Sequence, residues 1–314
     1  MKPSTLCGAA LVPALLAAGC TVTVDSQGQI VHEEKRFTVS GTPSVTATTF
    51  DGSIQVQSWD NSDVLVEIEK RGPTRAALEQ IEVRTAQDGN SITVEAHRPR
   101  HHPVLVFGIN SPTARLIVWV PKHADVHARS GDGSISIERV NGKLEAHTGD
   151  GSIRANEIAG DLNLSSGDGS VTVENAEGRL ALDTGDGSVK VSGKLAVVRL
   201  HTGDGSIIYR AEPGTKMNDD WDITTGDGGV TLYLPADLGA ELDAHTGDGT
   251  IHHDLALNPG GSSSASRRTV RGRIGAGGPQ LRIRTGDGSI RIKESDGSVT
   301  VVPNTPSDRQ PRHP

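Results

Sequence analysis

A hexapeptide returns along this chain at a constant interval: Thr148-Gly149-Asp150-Gly151-Ser152-Ile153, Ser166-Gly167-Asp168-Gly169-Ser170-Val171, Thr184-Gly185-Asp186-Gly187-Ser188-Val189 and Thr202-Gly203-Asp204-Gly205-Ser206-Ile207. With Ser130-Gly131-Asp132-Gly133-Ser134-Ile135 ahead of them, Asp132, Asp150, Asp168, Asp186 and Asp204 stand 18 residues apart each time. Copies at Asp227, Asp248 and Asp287 follow at intervals of 23, 21 and 39, which reads as the same unit with loops inserted. Within a unit, apolar and polar residues alternate in two short stretches, as at Val171/Val173 and Leu180/Leu182, separated by a second turn near Glu177-Gly178. Period-two alternation marks half-buried strands. Each unit is therefore strand, turn, strand, turn, and it cannot bury its apolar side alone. Such units stack, so the expected fold is all-β: a single-stranded parallel β-helix, or β-solenoid, with about 18 residues per repeat unit.

The turns have their own chemistry. An Asp-Gly pair suits a tight turn in which glycine takes positive φ, while the Asp carboxylate can bond a nearby backbone N–H. Stacking also aligns the Thr or Ser before the motif, the Asp at its centre and the Ser after it into three columns along one edge. The core of such a stack is thin, and 38 Gly with 3% aromatic and 34% hydrophobic residues fit that better than a thick globular interior. A formal net charge of −8, from 31 Lys+Arg against 39 Asp+Glu, offers no basic face for nucleic acid or anionic lipid, so nucleic acid is not an expected partner.

The two cysteines, Cys7 and Cys20, lie at the extreme N-terminus, so the body of the chain holds neither a disulfide nor a thiolate metal site. Met1-Lys2 gives a short positive start, Leu6 to Ala18 is an apolar run interrupted by Pro13, and Ala17-Ala18-Gly19 are small residues before Cys20. The run is too short to span a bilayer. It resembles a bacterial lipoprotein signal, with Ala17 where Leu is commonest. The resemblance implies cleavage before Cys20, lipidation of its sulfur and an acylated new N-terminus, hence a membrane anchor in which each buried CH₂ contributes about 0.8 kcal/mol. Thr21 rather than Asp after the anchor resembles sorting to the outer membrane in a Gram-negative cell. The expected location is therefore exported and membrane-anchored in the cell envelope; an ordinary secretory signal and a cytoplasmic chain with an apolar start are the alternatives.

Residues 1–19 are read as the lipoprotein signal peptide, 20–38 as a polar tether, 39–302 as the β-solenoid and 303–314 as a disordered tail. Within the solenoid, 39–129 is a degenerate N-terminal capping part, where Asp51-Gly52-Ser53-Ile54 and Gln87-Asp88-Gly89-Asn90-Ser91-Ile92 echo the motif, and 130–302 carries the Gly-Asp-Gly-Ser repeats. Thr74 to Ile81 predicts about two turns of helix on the flank, Leu116 to Pro121 a buried strand, and Asn258 to Gly278 a long Gly- and Ser-rich loop.

The Asp-Gly-Ser-Ile opening, the Val120-Pro121 step, the serial Gly-Asp-Gly-Ser units and the close Gly277-Gly278-Pro279-Gln280-Leu281-Arg282-Ile283 before Thr285-Gly286-Asp287 together resemble the bacterial β-strand-repeat "putative adhesin" domain of unknown function, over roughly residues 40–302. The resemblance implies a single-stranded parallel β-helix on the cell envelope and supplies no catalytic residues to carry over.

Carboxylates of the Asp column would recur about every 4.8 Å, a spacing that could share calcium. Calcium β-rolls, however, place Asp two residues before the apolar position, whereas Asp150 lies three before Ile153, and the turn-former reading prevails. His147 and His201 are 54 residues, or three units, apart, too far to ligate one zinc ion; with His245 they read as surface residues, as do the pairs His101-His102 and His252-His253. No cofactor or metal is therefore expected. Trp59, Trp119 and Trp221 are too dispersed for a sugar-stacking platform, which weighs against a carbohydrate-active enzyme. The expected function is a non-enzymatic surface for adhesion or for contact with a protein or glycan partner. A structural envelope scaffold and a carbohydrate-active enzyme on a β-helix are the alternatives.

Overall fold

The computed structural model describes residues 20–25, 28–98, 111–258 and 264–295. Residues 1–19, read above as a signal peptide, 303–314, read as a tail, and His101-His102 lie outside the described residues. Almost everything described is strand. The N-terminal part holds β1 (Cys20–Asp25), β2 (Gly28–Phe37), β3 (Ser44–Thr49), β4 (Ile54–Trp59), β5 (Val64–Gly72), helix α1 (Arg75–Glu79), β6 (Glu82–Asp88), β7 (Ser91–His97) and β8 (Thr113–Pro121). The regular repeats form β9 (Asp125–Ser130), β10 (Ile135–Glu138), β11 (Asn141–Thr148), β12 (Ile153–Asn156), β13 (Ala159–Ser166), β14 (Val171–Thr184), β15 (Val189–Thr202) and β16 (Ile207–Ala211). The C-terminal part is β17 (Trp221–Thr225), β18 (Val230–Leu234), β19 (Ala240–Thr246), β20 (Ile251–His253), β21 (Leu257–Asn258), β22 (Ser264–Ala265), β23 (Thr269–Ile274), β24 (Gln280–Thr285) and β25 (Ile290–Glu294).

The architecture is all-β and solenoid-like, with two walls facing one core; β14 and β15 each run through from one wall to the other. Neighbouring repeats pair in parallel with like residues level: Ile135↔Ile153↔Val171↔Val189↔Ile207 in wall one, and Leu144↔Leu162↔Leu180↔Val198 in wall two. These inward rows are buried, and each such aliphatic side chain contributes about 1.5–3 kcal/mol. One repeat departs from the rule. The pairing of β14 with β15 slips by a residue after Val173 and recovers at Arg179↔Val197, which leaves a bulge at Ala196; its carbonyl accepts a bond from the Trp221 indole at 3.3 Å.

Both ends of the stack are threaded out of sequence order. β3 lies between β7 and β9, and β4 between β8 and β10, so residues 44–59 form the rung beneath 125–138. At the other end β24 lies between β17 and β19, and β25 between β18 and β20. Residues 39–129, read as a degenerate capping part, contain the antiparallel pairs β5–β8 and β6–β7 beside the parallel ones, and β5 also pairs antiparallel with β2 from the preceding segment.

Three further expectations are corrected. The supposed tether is strand: β1 and β2 form an antiparallel hairpin, and β2 pairs with β5 from Gln29 to Phe37. Its polar composition concealed this, since main-chain bonds hold the strand and its charges find partners across it, as in Lys70–Glu33 at 2.7 Å. The Gly/Ser-rich stretch after Asn258 contributes β22 and β23, and β23 covers β19 antiparallel. Leu116 to Pro121 is buried only on alternate residues, because β8 has a solvent-facing side. The helix is a single short one, α1, capped by Thr74, whose Oγ1 accepts from the Ala77 N–H at 3.2 Å.

Candidate functional site

The motif turns form the most regular edge. Glycine is required there for a reason different from the expected positive φ: Gly151, Gly169, Gly187 and Gly205 are absent from the positive-φ residues, but a Cβ on any of them would lie 2.0–2.2 Å from the carbonyl oxygen of the glycine one rung below. Successive turns thus approach backbone to backbone. The Thr or Ser that opens each motif is buried and ties these turns together. Thr202 Oγ1 donates toward the Gly187 carbonyl, 3.1 Å away, and accepts from the Gly205 N–H at 3.2 Å; Ser166 makes the same bonds to Gly151 and Gly169. The Asp of each motif stands exposed on the outside of this ladder. Among the described residues no three His, Cys, Asp or Glu side chains gather as a metal centre.

The histidines face solvent on the walls. The register His147↔Ser165↔Asp183↔His201 separates His147 from His201 by three strand spacings, about 14 Å. His245 is exposed on β19, and its Nδ1 lies 3.0 Å from the Thr269 hydroxyl. His252 is exposed on β20, and His253 is half-buried with Nδ1 3.3 Å from the Leu255 carbonyl. Cys20 opens β1, the outermost strand of wall one.

Sequence reasoning missed a shallow groove of about 410 Å³ on the outer side of wall two. It exists because Ala181, a small side chain, lies level with Asn163 on one side and Arg199 on the other. Asp183 and His201 form the next row, and Asp222 closes the groove opposite Arg199. The Asp222 carboxylate is held by Arg282 at 3.0 Å and by the Thr224 hydroxyl at 2.9 Å, whereas Arg199 has no ion-pair partner among the described residues. A guanidinium and an imidazole are therefore presented to solvent beside a hollow. Asp183 and Asp222 are two strands and two residues apart, so their backbones are about 12 Å apart.

The most strongly engaged carboxylate is Asp243 at the end of wall two. Burial alone would raise its pKa, but Arg284 at 2.6 Å and Arg271 at 3.1 Å outweigh that and hold it below the usual carboxylate range. In the interior, burial pushes the Tyr209 phenol well up; the Leu195 backbone offsets this only in part, and no well-formed hydrogen bond reaches the hydroxyl. The Tyr209 ring packs against Trp221 at 5.3 Å between centroids, filling the core beside the bulge.

No helix among the described residues is long and apolar enough to cross a membrane. The chain is similar in structure to a "putative adhesin" from Parabacteroides merdae, at 14% identity and TM-score 0.36 with 84% of this chain and 96% of that one covered. It is also similar to a "putative cell adhesion protein" from Clostridium sporogenes (12%, TM-score 0.30, 84% and 100% covered) and to a "putative lipid binding protein" from Parabacteroides distasonis (10%, TM-score 0.33, 83% and 96%). No curated protein matches the chain. The sequence of residues 42–293 matches the Toastrack DUF4097 family across most of the chain, and the chain belongs to that family, a domain of unknown function.

Proposed function

We propose that this is an exported cell-envelope lipoprotein, held on a membrane by acyl chains on Cys20, whose body presents non-enzymatic faces for adhesion or for contact with protein or glycan. In this reading the body is a single-stranded parallel β-helix of about 18 residues per unit, and the membrane is the outer one if the cell is Gram-negative. The supporting observation is the groove over Ala181, beside which Arg199 and His201 are exposed to solvent. The place of Cys20 on the outermost strand of wall one agrees with an anchor at one end, leaving both walls accessible.

The test has two arms. Cells fed an alkyne-tagged fatty acid should label the full chain and not a Cys20→Ser variant, which should leave the membrane fraction. Full-length protein in liposomes should bind immobilised envelope proteins or glycans, and Arg199→Ala with His201→Ala should weaken that binding. Absence of binding to any envelope component would overturn the surface reading and favour the scaffold.

A further inference from the structure

The outer side of wall one changes character along the stack. Its two outward rows can be followed by register: Ser136↔Arg154↔Thr172↔Lys190↔Ile208↔Thr231↔Arg291↔His252 is one, and Ser192↔Arg210↔Tyr233↔Lys293 is the end of the other. Up to β14 the second row carries Glu138 and Glu174. On β16, β18, β25 and β20 the outward positions of both rows hold Arg210, Arg291 and Lys293 and no carboxylate. Carboxylates border these rows just past or at the strand ends, Glu212 after β16, Asp254 after β20 and Glu294 closing β25, and none of them is ion-paired with the cluster, while Lys190 at the border is satisfied by Glu174 at 3.5 Å. Among the described residues Arg210, Arg291 and Lys293 form no ion pair, in a chain whose net charge is −8.

Two observations say that this cluster is arranged rather than scattered. The Arg210 guanidinium lies over the Tyr233 ring, 4.2 Å from its centroid, and the Lys293 ammonium approaches the same ring at 5.9 Å. Tyr233 thus has one cation on either side of itself, on strands about 9.6 Å apart, neither of them ion-paired among the described residues. Beside them Ile208, 43% exposed, is the only large hydrophobic side chain open to solvent among the described residues. Three cations without ion pairs, beside the exposed Ile208 and the partly exposed Tyr233 ring, match a ligand that is apolar on its ring faces and anionic at its edges.

We infer that the outer face of wall one from β16 to β25 is a binding site for an acidic glycan, a polymer of sugar rings bearing carboxylates. This rests on the surface-binding reading above and names a ligand class on the wall opposite the groove. Ring C–H faces would lie on Ile208 and the exposed part of Tyr233, and carboxylates would pair with Arg210, Arg291 and Lys293 in charge-assisted bonds. A nucleic acid fits less well, because its dense charge meets the repulsion of the whole chain at −8. An anionic bilayer would need a wider basic surface than three cations on a wall whose lower part carries acids.

The test measures binding of detergent-solubilised full-length protein to an oligogalacturonate and to a neutral malto-oligosaccharide of equal length. The acidic oligosaccharide should bind, more weakly as salt is raised, and the neutral one should bind far less. Arg291→Glu with Lys293→Glu should weaken the acidic ligand about tenfold or more, from loss of charge-assisted contacts. Arg291→Lys with Lys293→Arg should retain it, and unchanged circular dichroism in both variants would exclude misfolding. Equal affinity for the two oligosaccharides, or acidic binding untouched by the charge reversal, would overturn the inference. So would a charge-reversal-sensitive affinity found only for phosphatidylglycerol vesicles or a single-stranded oligonucleotide. Envelope binding that persists in the charge-reversal variant and is lost in the groove variant would sink this site and leave the broader surface reading standing.

Discussion

Replacing Thr202 by valine removes a hydroxyl from the turn ladder while conserving shape. Thr202 is fully buried, and its Oγ1 serves three backbone groups: it donates toward the Gly187 and Gly185 carbonyls, each 3.1 Å away, and accepts from the Gly205 N–H at 3.2 Å. The Gly185 carbonyl keeps a bond from the Gly203 N–H, so it is not orphaned. The Gly187 carbonyl and the Gly205 N–H have no other partner among the described residues. Two buried groups left unsatisfied, at about 1–3 kcal/mol each, put the destabilisation of Thr202→Val at about 2–6 kcal/mol. Thr202→Ser keeps the hydroxyl and gives up one methyl, worth about 0.8 kcal/mol. Equilibrium unfolding in urea, with amide exchange followed from Gly203 to Ile207, should rank wild type above serine above valine and show the turn amides exchanging first in the valine variant. A valine variant within about 0.5 kcal/mol of wild type, or more stable than the serine variant, would refute the claim that buried hydroxyls rather than methyl packing tie the turns together.

Gly187→Ala tests the close approach of the turns: its Cβ would stand 2.2 Å from the Gly169 carbonyl oxygen, both partners being backbone, and denaturant unfolding should show a loss at or above about 3 kcal/mol. Gly89→Ala is the contrast, with nothing within 4 Å but φ at +57°, and should lose only about 1–2 kcal/mol. Asp243 has a depressed carboxylate pKa when folded, so its stabilising effect is complete above the unfolded value of about 3.9 and disappears as pH falls through the folded one. Asp243→Asn should therefore lower stability at neutral pH and flatten the acid limb of the stability profile; an acid limb identical to wild type would contradict the Arg271–Asp243–Arg284 assignment.

The candidate surfaces were less legible than the strands. His147, His201 and His245 stood out in the sequence as recurring before the motif, and the wall places each of them toward solvent on its own strand. The groove depends on Ala181, which nothing in its own unit distinguishes; its smallness matters only because Asn163 and Arg199 arrive level with it from neighbouring units. The cationic face was concealed by an averaged quantity. A net charge of −8 argues against basic surfaces, yet Arg210, Arg291 and Lys293 are gathered from units more than eighty residues apart in the chain. Tyr233 between them has no sequence signature at all.

The sequence by itself determined the strand–turn units, the rows that face inward and the alignment of Thr or Ser into a column along one edge, because period-two alternation and the Gly-Asp-Gly turn are local and act within each unit; that the column is buried came from the structure. Even so, the role of the glycines came only from stacking, since the atom that excludes a side chain at Gly187 belongs to Gly169 in the rung below. Only the tertiary structure decided which rung lies on which. Every rung exposes a similar edge of N–H and C=O groups, so local pattern does not forbid residues 44–59 from pairing with 125–138, or 280–294 from entering between 221–234 and 240–253. That order, and with it the polar edge strand β2 and the array around Tyr233, follows from long-range pairing among nearly interchangeable edges, where main-chain bonds are alike and differences in side-chain fit decide.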